Sequence, residues 1–285
     1  MSPGSMGSAV GRSLIEHGLS VGAVLDARSE RTVQRAKAAG IVDVPSLEAL
    51  VSTSEVVLSI VPPGSALEVA GALAGAMVAA GKRPTYVDAN AVSPATARLV
   101  ARTIEATGAR YVDGGIVGGP PTVGRETSLY LSGNGGERLV DLLTTPELRV
   151  VWIGSDPTAA SALKMAYAAW SKGSTALLLS IRALARHEGV EAALLDQWRR
   201  TQSDVLSRSD EASRVSSRAW RWSDEMDEIA RTFEDAGLPG GAAAAAARLY
   251  QRMACYKDVA VPPPLDDVIA TVLAAPHAAT RARPA

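Results

Sequence analysis

This chain of 285 residues has one cysteine, one phenylalanine and a formal net charge of −1. The cysteine count and the net charge each argue against a class of protein. The single cysteine, Cys255, cannot form an internal disulfide, which favours a reducing compartment and predicts a cytoplasmic location. The formal net charge of −1 gives no electrostatic reason to expect nucleic acid or an anionic membrane as a partner. The acidic run at residues 224–228 is predicted to be a solvated helix face. No grouping of histidine, cysteine and aspartate has the spacing of a metal site.

Long apolar runs are absent as well. No stretch reaches the ~18 uninterrupted apolar residues typical of a membrane span. The N-terminus has no charged region followed by an apolar run, which a secretory signal needs. The hydrophobic share of 47% is carried mostly by alanine and valine, since Phe233 is the only phenylalanine. We therefore expect a globular protein without a membrane partner.

A glycine-containing turn, Pro-Gly-Ser-Met-Gly, occupies residues 3–7 and runs directly into a helical pattern. Glycines at such a turn let the backbone approach the pyrophosphate of a dinucleotide, whose charge the helix N-terminus then stabilises. No apolar strand precedes the turn, although the first strand of a doubly wound sheet is central and flanked on both edges. We expect that the recorded start lies downstream of the natural one. The alternative is a decayed gene whose product folds poorly.

Short apolar runs alternate with helical patterns in the first half of the chain, which predicts βαβ units around a parallel sheet. The predicted strands are Val21–Leu25, Val56–Val61, Tyr86–Asp88, Tyr111–Asp113, Leu129–Ser132 and Val150–Ile153. The predicted helices of this half are Arg31–Ala39, Ser65–Ala80 and Pro94–Thr107. Beyond Gly154 the patterns are helical, over residues 159–187, 190–207, 222–236, 240–257 and 265–274.

This pattern predicts an α/β fold: a Rossmann-like parallel-sheet domain with its first strand absent, followed by an all-α domain. We assign residues 1–155 to the NAD(P)-binding domain and residues 156–275 to a helical domain for substrate and dimerisation. Residues 276–285 are polar and irregular, and we expect a flexible tail there. The apolar long helix predicts a homodimer.

Several residues at the turn and at the ends of predicted strands are candidates for binding the cofactor. The turn itself contributes Gly4, Ser5, Met6 and Gly7. Val61, Pro62 and Asn90 follow later strands, at the edge of the sheet where a dinucleotide binds in this kind of fold.

The choice between NAD and NADP depends on the residues that follow the predicted strand ending at Leu25. Asp26 stands about 20 residues beyond the turn, where dinucleotide-binding folds bind the adenosine ribose. A carboxylate at this position favours NAD. Arg28, Ser29 and Arg31 follow directly, and two guanidinium groups with a hydroxyl form a receptor for a 2′-phosphate. We predict NADP as the cofactor, with NAD left open.

Four segments in chain order carry a family resemblance. They are residues 4–7 (Gly-Ser-Met-Gly), 88–94 (Asp-Ala-Asn-Ala-Val-Ser-Pro), 113–119 (Asp-Gly-Gly-Ile-Val-Gly-Gly) and 162–165 (Ala-Leu-Lys-Met). Together they resemble the β-hydroxyacid dehydrogenase superfamily, which includes 3-hydroxyisobutyrate and 6-phosphogluconate dehydrogenases. More narrowly, residues 164–173 and 222–230 resemble a branch of phosphogluconate-dehydrogenase-like NAD-binding proteins.

The resemblance implies a role for each matching residue. Lys164 falls where the family places its catalytic lysine, and it would exchange a proton with the substrate oxygen while hydride moves to or from nicotinamide C4. Gly118 and Gly119 would offer backbone N–H groups to a substrate carboxylate. The resemblance thus implies an NADP-dependent oxidoreductase that acts on a hydroxy or keto acid.

Three departures from the family pattern alter the expected substrate. Val117 stands where a hydroxyl is expected, Ala168 where an asparagine is expected, and Ala91 where a threonine is expected. Because these polar groups would orient a small hydroxy acid, their loss argues against the same specificity. Lys172 offers a replacement, since positions 164, 168 and 172 are spaced to share one helix face, and it predicts an anionic substrate.

Two further functions remain open from the sequence. The loss of the three polar side chains is compatible with reduction of an imine by an enzyme of the same superfamily. A nucleotide-binding protein without catalysis is the alternative from another class.

Overall fold

The computed structural model describes residues 3–257, 259 and 261–274. The chain divides into two units, Met1–Tyr167 and Ala168–Ala285. This division falls inside the long helix that the sequence predicts, beyond the proposed domain boundary at residue 155. The predicted tail at residues 276–285 lies outside the described residues.

Strands and helices alternate along the first unit, as the sequence predicts. In order they are α1 (Ser5–Glu16), β1 (Gly22–Ala23), α2 (Glu30–Ala38), β2 (Val42–Asp43), α3 (Leu47–Thr53), β3 (Val56–Ser59), α4 (Ala66–Ala80), β4 (Thr85–Asp88), α5 (Pro94–Glu105), β5 (Tyr111–Val117), β6 (Thr127–Ser132), α6 (Val140–Leu143) and β7 (Leu148–Trp152). The long helix α7 (Ala159–His187) begins in this unit and continues into the second.

The described part of the second unit contains helices and no strand, in agreement with the predicted all-α domain. The helices are α8 (Glu191–Thr201), α9 (Ser203–Asp210), α10 (Ser216–Asp235), α11 (Gly241–Arg252) and α12 (Leu265–Leu273). One predicted helix over residues 190–207 is wrong. It is two helices, because the backbone leaves the helical region at Gln202, where φ is −151° and ψ is 59°.

The strands form two sheets. One contains β1 and β2, and the other has the order β3-β4-β5-β6-β7. The neighbours pair in parallel except β5 and β6, which are antiparallel. The segment between β5 and β6 contains no helix and is too short for a crossover, so the chain can only turn back on itself. The predicted parallel sheet is therefore confirmed apart from this one pair.

The β1–β2 pair and the five-stranded sheet are not joined by any described strand. Within the described residues, β1 pairs only with β2, and β3 pairs only with β4. In a doubly wound sheet the first strand lies between the second strand and the fourth, and would join two such groups into one sheet. Among the described residues, no strand takes this position, and the two sheets stay separate.

Apolar side chains cover both faces of the larger sheet. One core cluster includes Leu73 and Met77 of α4, Ile104 of α5 and Tyr86 of β4. The opposite face buries a second cluster, whose members are Val10, Leu14, Val87, Ala89, Val112, Ile116, Leu129, Leu131, Leu139, Leu143, Leu148 and Val150. Strand β4 therefore alternates between two cores, as a strand covered on both faces does.

Helix α4 is the most apolar helix of the first unit. By length and composition alone, the segment Pro63–Ala80 is the one described helical segment that could cross a membrane. Its inner residues, among them Ala66, Ala70 and Leu73, are fully buried in the core described above. The apolar character thus matches a helix that covers a sheet.

Two aspartates are buried side by side in the larger sheet. Asp88 on β4 and Asp113 on β5 are register partners, and neither is exposed to solvent. Burial, together with the nearby charge of Asp113, raises the pKa of Asp88 to about 7. Burial likewise raises the pKa of Asp113 to about 6, against hydrogen bonds from Ser161 and Ser132 that lower it.

These raised pKa values predict that stability falls as pH rises. The ordinary pKa of aspartate is 3.8, so between about pH 4 and pH 7 the folded protein holds more protons than the unfolded chain. The stabilising contribution is complete below that window and is lost as pH rises through it. We expect Asp88→Asn to reduce the fall of the unfolding free energy with pH by at most about 1.4 kcal/mol per pH unit. Urea unfolding at several pH values measures this pH dependence. Asp141→Asn is the control, because Asp141 is exposed. Equal slopes in the wild type and Asp88→Asn would contradict the prediction.

Candidate functional site

Helix α1 begins directly after the glycine turn and presents its N-terminus without a side-chain cap from any described residue. Gly4 is extended, with φ −62° and ψ −170°, and its carbonyl accepts a hydrogen bond from the Ser8 hydroxyl at 2.7 Å. A Cβ at Gly4 would meet no atom within 4 Å. Uncapped N–H groups, the helix dipole and open space fit a pyrophosphate. The predicted residues Gly4, Ser5, Met6 and Gly7 all lie at this point.

The carboxyl ends of the parallel strands β3, β4 and β5 lie at one edge of the larger sheet. Val61 and Pro62 follow β3, Asn90 follows β4, and Gly118 and Gly119 follow β5. Small ligands bind at this edge in open α/β sheets. The fold therefore brings these predicted site residues to a common edge.

Asn90 is only 1% exposed, and its side chain bonds within the protein. Its Oδ1 accepts from the Val61 N–H at 2.7 Å, and its Nδ2 donates to Ser59 Oγ at 3.0 Å and to Asp88 Oδ1 at 2.5 Å. The amide thus ties the end of β3 to the end of β4. It thereby fixes the backbone at Val61, directly before Pro62.

The loop after β1 carries the residues predicted to distinguish NADP from NAD. Asp26, Arg28, Ser29 and Arg31 are all exposed. A turn shapes this loop, in which the Arg28 N–H donates to the Leu25 carbonyl at 3.2 Å. Ala27 has φ 55°, a left-handed conformation that an L-residue adopts at a cost of about 1–2 kcal/mol. Strain of this kind clusters at functional sites.

Asp113 fixes the start of α7. Its carboxylate accepts from the Ser161 backbone N–H at 2.8 Å and from the Ser161 hydroxyl at 2.6 Å. Ser132 adds a donor to the same carboxylate at 3.1 Å, and its Oγ accepts from the Ala160 N–H at 2.9 Å. The first-turn N–H groups of α7 therefore find their acceptors on β5 and β6. A carboxylate at a helix N-terminus also interacts favourably with the helix dipole.

This anchoring holds Lys164 against β5. A Cβ built at Gly115 would lie 2.6 Å from the Ala160 carbonyl oxygen and 3.0 Å from Cβ of Lys164. The absence of a side chain at Gly115 is thus what lets the helix approach the strand. Lys164 is half-buried, one helical turn beyond the Asp113 contact. Gly118 follows three residues after Gly115, so the point of contact with Lys164 lies about 10 Å along β5 from the predicted glycine loop.

Gly118 and Gly119 form the start of the loop that joins β5 to β6. Gly118 has φ 111°, which favours glycine, and a Cβ there would lie 3.0 Å from the Glu126 carbonyl oxygen. The Gly119 carbonyl accepts from the Thr127 hydroxyl at 2.7 Å. Neighbouring Val117 is partly exposed and brings no hydroxyl to this edge. At Val117, Gly118 and Gly119 the polar groups are therefore those of the backbone, whereas Arg125 brings a guanidinium beside Gly119.

Lys172 has a partner in the second unit that the sequence did not reveal. Its ammonium forms an ion pair with the Glu225 carboxylate and lies 5.2 Å from the ring centroid of Trp222. Its side chain is only 12% exposed, and Glu225 is buried on α10. The ammonium predicted to meet an anionic substrate thus meets a carboxylate of the protein itself. The predicted solvated face at residues 224–228 is wrong at Glu225 and Glu228, because both side chains are buried.

The Gly115 contact yields a test of how α7 is positioned. Gly115→Ala must displace either a backbone carbonyl or the helix, so we expect a loss of about 1–3 kcal/mol of stability. Gly71→Ala in α4 is the control, since a Cβ there meets no atom within 4 Å and alanine favours a helix interior. Thermal unfolding of both variants measures the difference. Equal stability of Gly115→Ala and the wild type would contradict the close approach.

Two family models match the chain. Residues 3–145 match the NAD binding domain of 6-phosphogluconate dehydrogenase, and residues 185–253 match a domain of unknown function, DUF1932. An uncharacterized 28.5 kDa protein in the 7S RNA 5′ region of Methanothermus fervidus is 32% identical over 175 residues. That match covers 61% of this chain and spans only 65% of the relative's length.

Solved structures resemble the fold across nearly the whole chain. A conserved protein of unknown function, described as structurally similar to 3-hydroxyacid dehydrogenases, is 26% identical with a TM-score of 0.64. The match covers 89% of this chain and 95% of that one. The 3-hydroxyisobutyrate dehydrogenase of Mycobacterium tuberculosis has a TM-score of 0.70 at 20% identity, covering 95% of this chain and 97% of that one. By its N-terminal domain and its fold, the chain belongs to the β-hydroxyacid dehydrogenase-like superfamily.

Proposed function

We propose that the protein is an NADP-dependent oxidoreductase that transfers hydride to or from a hydroxy or keto acid, with Lys164 as the general acid and base. The observation that carries the proposal is the position of Lys164, held by the Asp113 anchor beside the strand whose end forms the glycine loop. The family supplies the expectation that the reacting carbon lies at this edge of the sheet.

The residues at the α1 N-terminus fit the cofactor by their open space and uncapped N–H groups. The turn at residues 4–7 would hold the pyrophosphate, and Arg28, Ser29 and Arg31 would bind the 2′-phosphate. A bound nicotinamide supplies or accepts the hydride. Val61 and Pro62, fixed by Asn90, would border the nicotinamide portion.

The chain's own residues would then orient the substrate and move its proton. Backbone N–H groups at Gly118 and Gly119 would bind an anionic group. The Lys164 ammonium would donate a proton to the substrate oxygen during reduction, and the neutral amine would accept it back during oxidation. Because Val117 adds no hydrogen-bonding side chain, the site would select its substrate less by hydroxyl contacts than by charge and shape.

Reduction of an imine is the second candidate. A Streptomyces aurantiacus imine reductase shares the fold, with a TM-score of 0.54 and 21% identity. The apolar side chain of Val117 favours this candidate, since an imine carries no hydroxyl that this position would need to bind. The same lysine would serve as proton donor to the imine nitrogen.

Removal of the Lys164 amine tests the proposed proton transfer. Lys164→Ala should lower turnover by about 10²–10⁴-fold while NADP binding is retained. Lys164→Arg keeps the charge but cannot release its proton, so it should be similarly impaired. Steady-state rates over panels of hydroxy acids and imines, with Lys82→Ala as an exposed control, give the comparison. Unchanged turnover in Lys164→Ala would contradict the role, and NADP binding by the wild type without turnover on either panel would indicate a non-catalytic protein.

The proposed preference for NADP is tested at the loop after β1. Arg28→Ala and Arg31→Ala should each raise the Kd for NADP by about 10–100-fold, because each removes a charge-assisted hydrogen bond. The Kd for NAD should change little. Fluorescence titration with both cofactors measures the ratio, and Arg35→Ala on the same helix is the control. An unaltered ratio of the two Kd values in both variants would contradict the assignment.

A further inference from the structure

The segment that joins β5 to β6 folds back on itself as a tight hairpin loop. At its tip, the Arg125 N–H donates to the Thr122 carbonyl at 3.0 Å, and the two residues form an antiparallel bridge. At its base, the Thr127 hydroxyl donates to the Gly119 carbonyl at 2.7 Å. The chain after the tip therefore runs back past Gly119.

The Arg125 side chain lies across Gly119. A Cβ at Gly119 would stand 2.6 Å from Nη1 of Arg125, 3.2 Å from its Cδ and 3.4 Å from its Cζ. The guanidinium and the methylene next to it thus occupy the space that a side chain at Gly119 would take. The absence of that side chain lets a positive charge lie directly beside the backbone of the loop.

The loop presents hydrogen-bond donors that the protein itself does not use. In the part of the chain that the structure describes, no carbonyl or side chain accepts a hydrogen bond from the N–H of Gly118 or Gly119. No described carboxylate forms an ion pair with Arg125, whose side chain is exposed. Two backbone N–H groups and a guanidinium are therefore available to a ligand at this loop.

The loop also contacts the helix that begins at the proposed cofactor turn. Nη2 of Arg12, on α1, donates to the Pro121 carbonyl at 3.4 Å, and Pro121 is buried. The loop that carries the unused donors is thereby held next to α1. A ligand bound at the loop would lie on the side of the unit where the proposed function places the cofactor.

A guanidinium beside backbone N–H groups is suited to a carboxylate. Its planar fork offers parallel N–H donors that match the two carboxylate oxygens, and such charge-assisted hydrogen bonds are about twice as strong as neutral ones. Val117 offers no hydroxyl at this loop, whereas Arg125 offers a charged donor. A protonated imine would be repelled by the same charge, so the arrangement distinguishes an acid from an imine.

We propose that Arg125 is a specificity-determining residue, which binds the carboxylate of the substrate together with the N–H groups of Gly118 and Gly119 and so favours an acid over an imine. This inference rests on the proposed function, because it names the substrate class at the same site. The guanidinium stays charged and takes no part in proton transfer. Its effect is therefore on substrate binding and not on the chemical step.

The kinetics of a hydroxy acid and of its uncharged amide test this role. Arg125→Ala should lower the ratio of kcat/KM for the acid to that for the amide by about 10–100-fold, because a charge-assisted hydrogen bond is lost. Most of the loss should appear as a higher KM for the acid. Arg125→Lys keeps the charge without the fork and should recover part of the ratio, and Arg102→Ala, at an exposed arginine of α5, is the control. An unchanged ratio in Arg125→Ala would overturn the proposal.

Gly119→Ala tests the contact while it keeps both the charge and the backbone N–H. The added Cβ would meet Nη1 at the flexible end of the Arg125 side chain, so the guanidinium must move. We expect KM for the acid to rise by about 3–10-fold in the otherwise wild-type protein, and not to rise further when Gly119→Ala is added to Arg125→Ala. Additive effects of the two substitutions, or no effect of Gly119→Ala, would contradict the proposed contact.

Calorimetric titration with malonate separates this proposal from the proposed function, because it requires no turnover. The Kd for malonate should be about 10–100-fold higher in Arg125→Ala than in the wild type, and the uncharged diamide of malonate should bind the wild type more weakly than malonate does. Malonate binding that depends on Arg125, in a protein that turns over no hydroxy acid, would support the carboxylate site and contradict the proposed function. Equal affinity of the wild type and Arg125→Ala, or no saturable binding to the wild type, would overturn the carboxylate site even where turnover depends on Lys164.

Discussion

The carboxylate of Asp113 is the contact on which the rest of the proposed site depends. It is buried within the sheet, and it accepts hydrogen bonds from the backbone and hydroxyl of Ser161 at the first turn of α7. A helix held at its N-terminus can rotate or slide little, so the lysine one turn later has a fixed place. Gly115 completes the arrangement, because a side chain there would separate the helix from the strand. An acidic residue, a glycine and a helix start thus act together to position Lys164.

The interrupted sheet imposes a second constraint on the cofactor end. The turn at Gly4 and helix α1 lie beside a cavity where the larger sheet and the β1–β2 pair are not joined. Phosphate binding at a helix N-terminus relies on a backbone that holds its shape when the ligand arrives. Helix α1 therefore borders a cavity on this side and not a described strand. The Lys164 end of the site depends instead on contacts within the larger sheet.

The sequence predicted the elements that have strong local signals. Helix α7 was predicted over its full range because an apolar period persists through it, and α5 because Ser93 caps it and Pro94 opens it. Strand β2 and helix α3 were missed, since each is too short for a period to be counted. Local sequence patterns also could not predict contacts between segments that are far apart in the chain. The burial of Asp113 beneath α7 and the pairing of Lys172 with Glu225 both join segments far apart in the chain.

The central claim is that the Lys164 amine and the cofactor held at the α1 turn act on the same substrate atom. The most direct measurement is a crystal structure with NADP and an unreactive substrate analogue bound. The account predicts Nζ of Lys164 within about 3 Å of the oxygen or nitrogen that the analogue presents next to nicotinamide C4. A bound analogue whose reacting atom lies beyond hydrogen-bond reach of Nζ, directly or through one water, would contradict it.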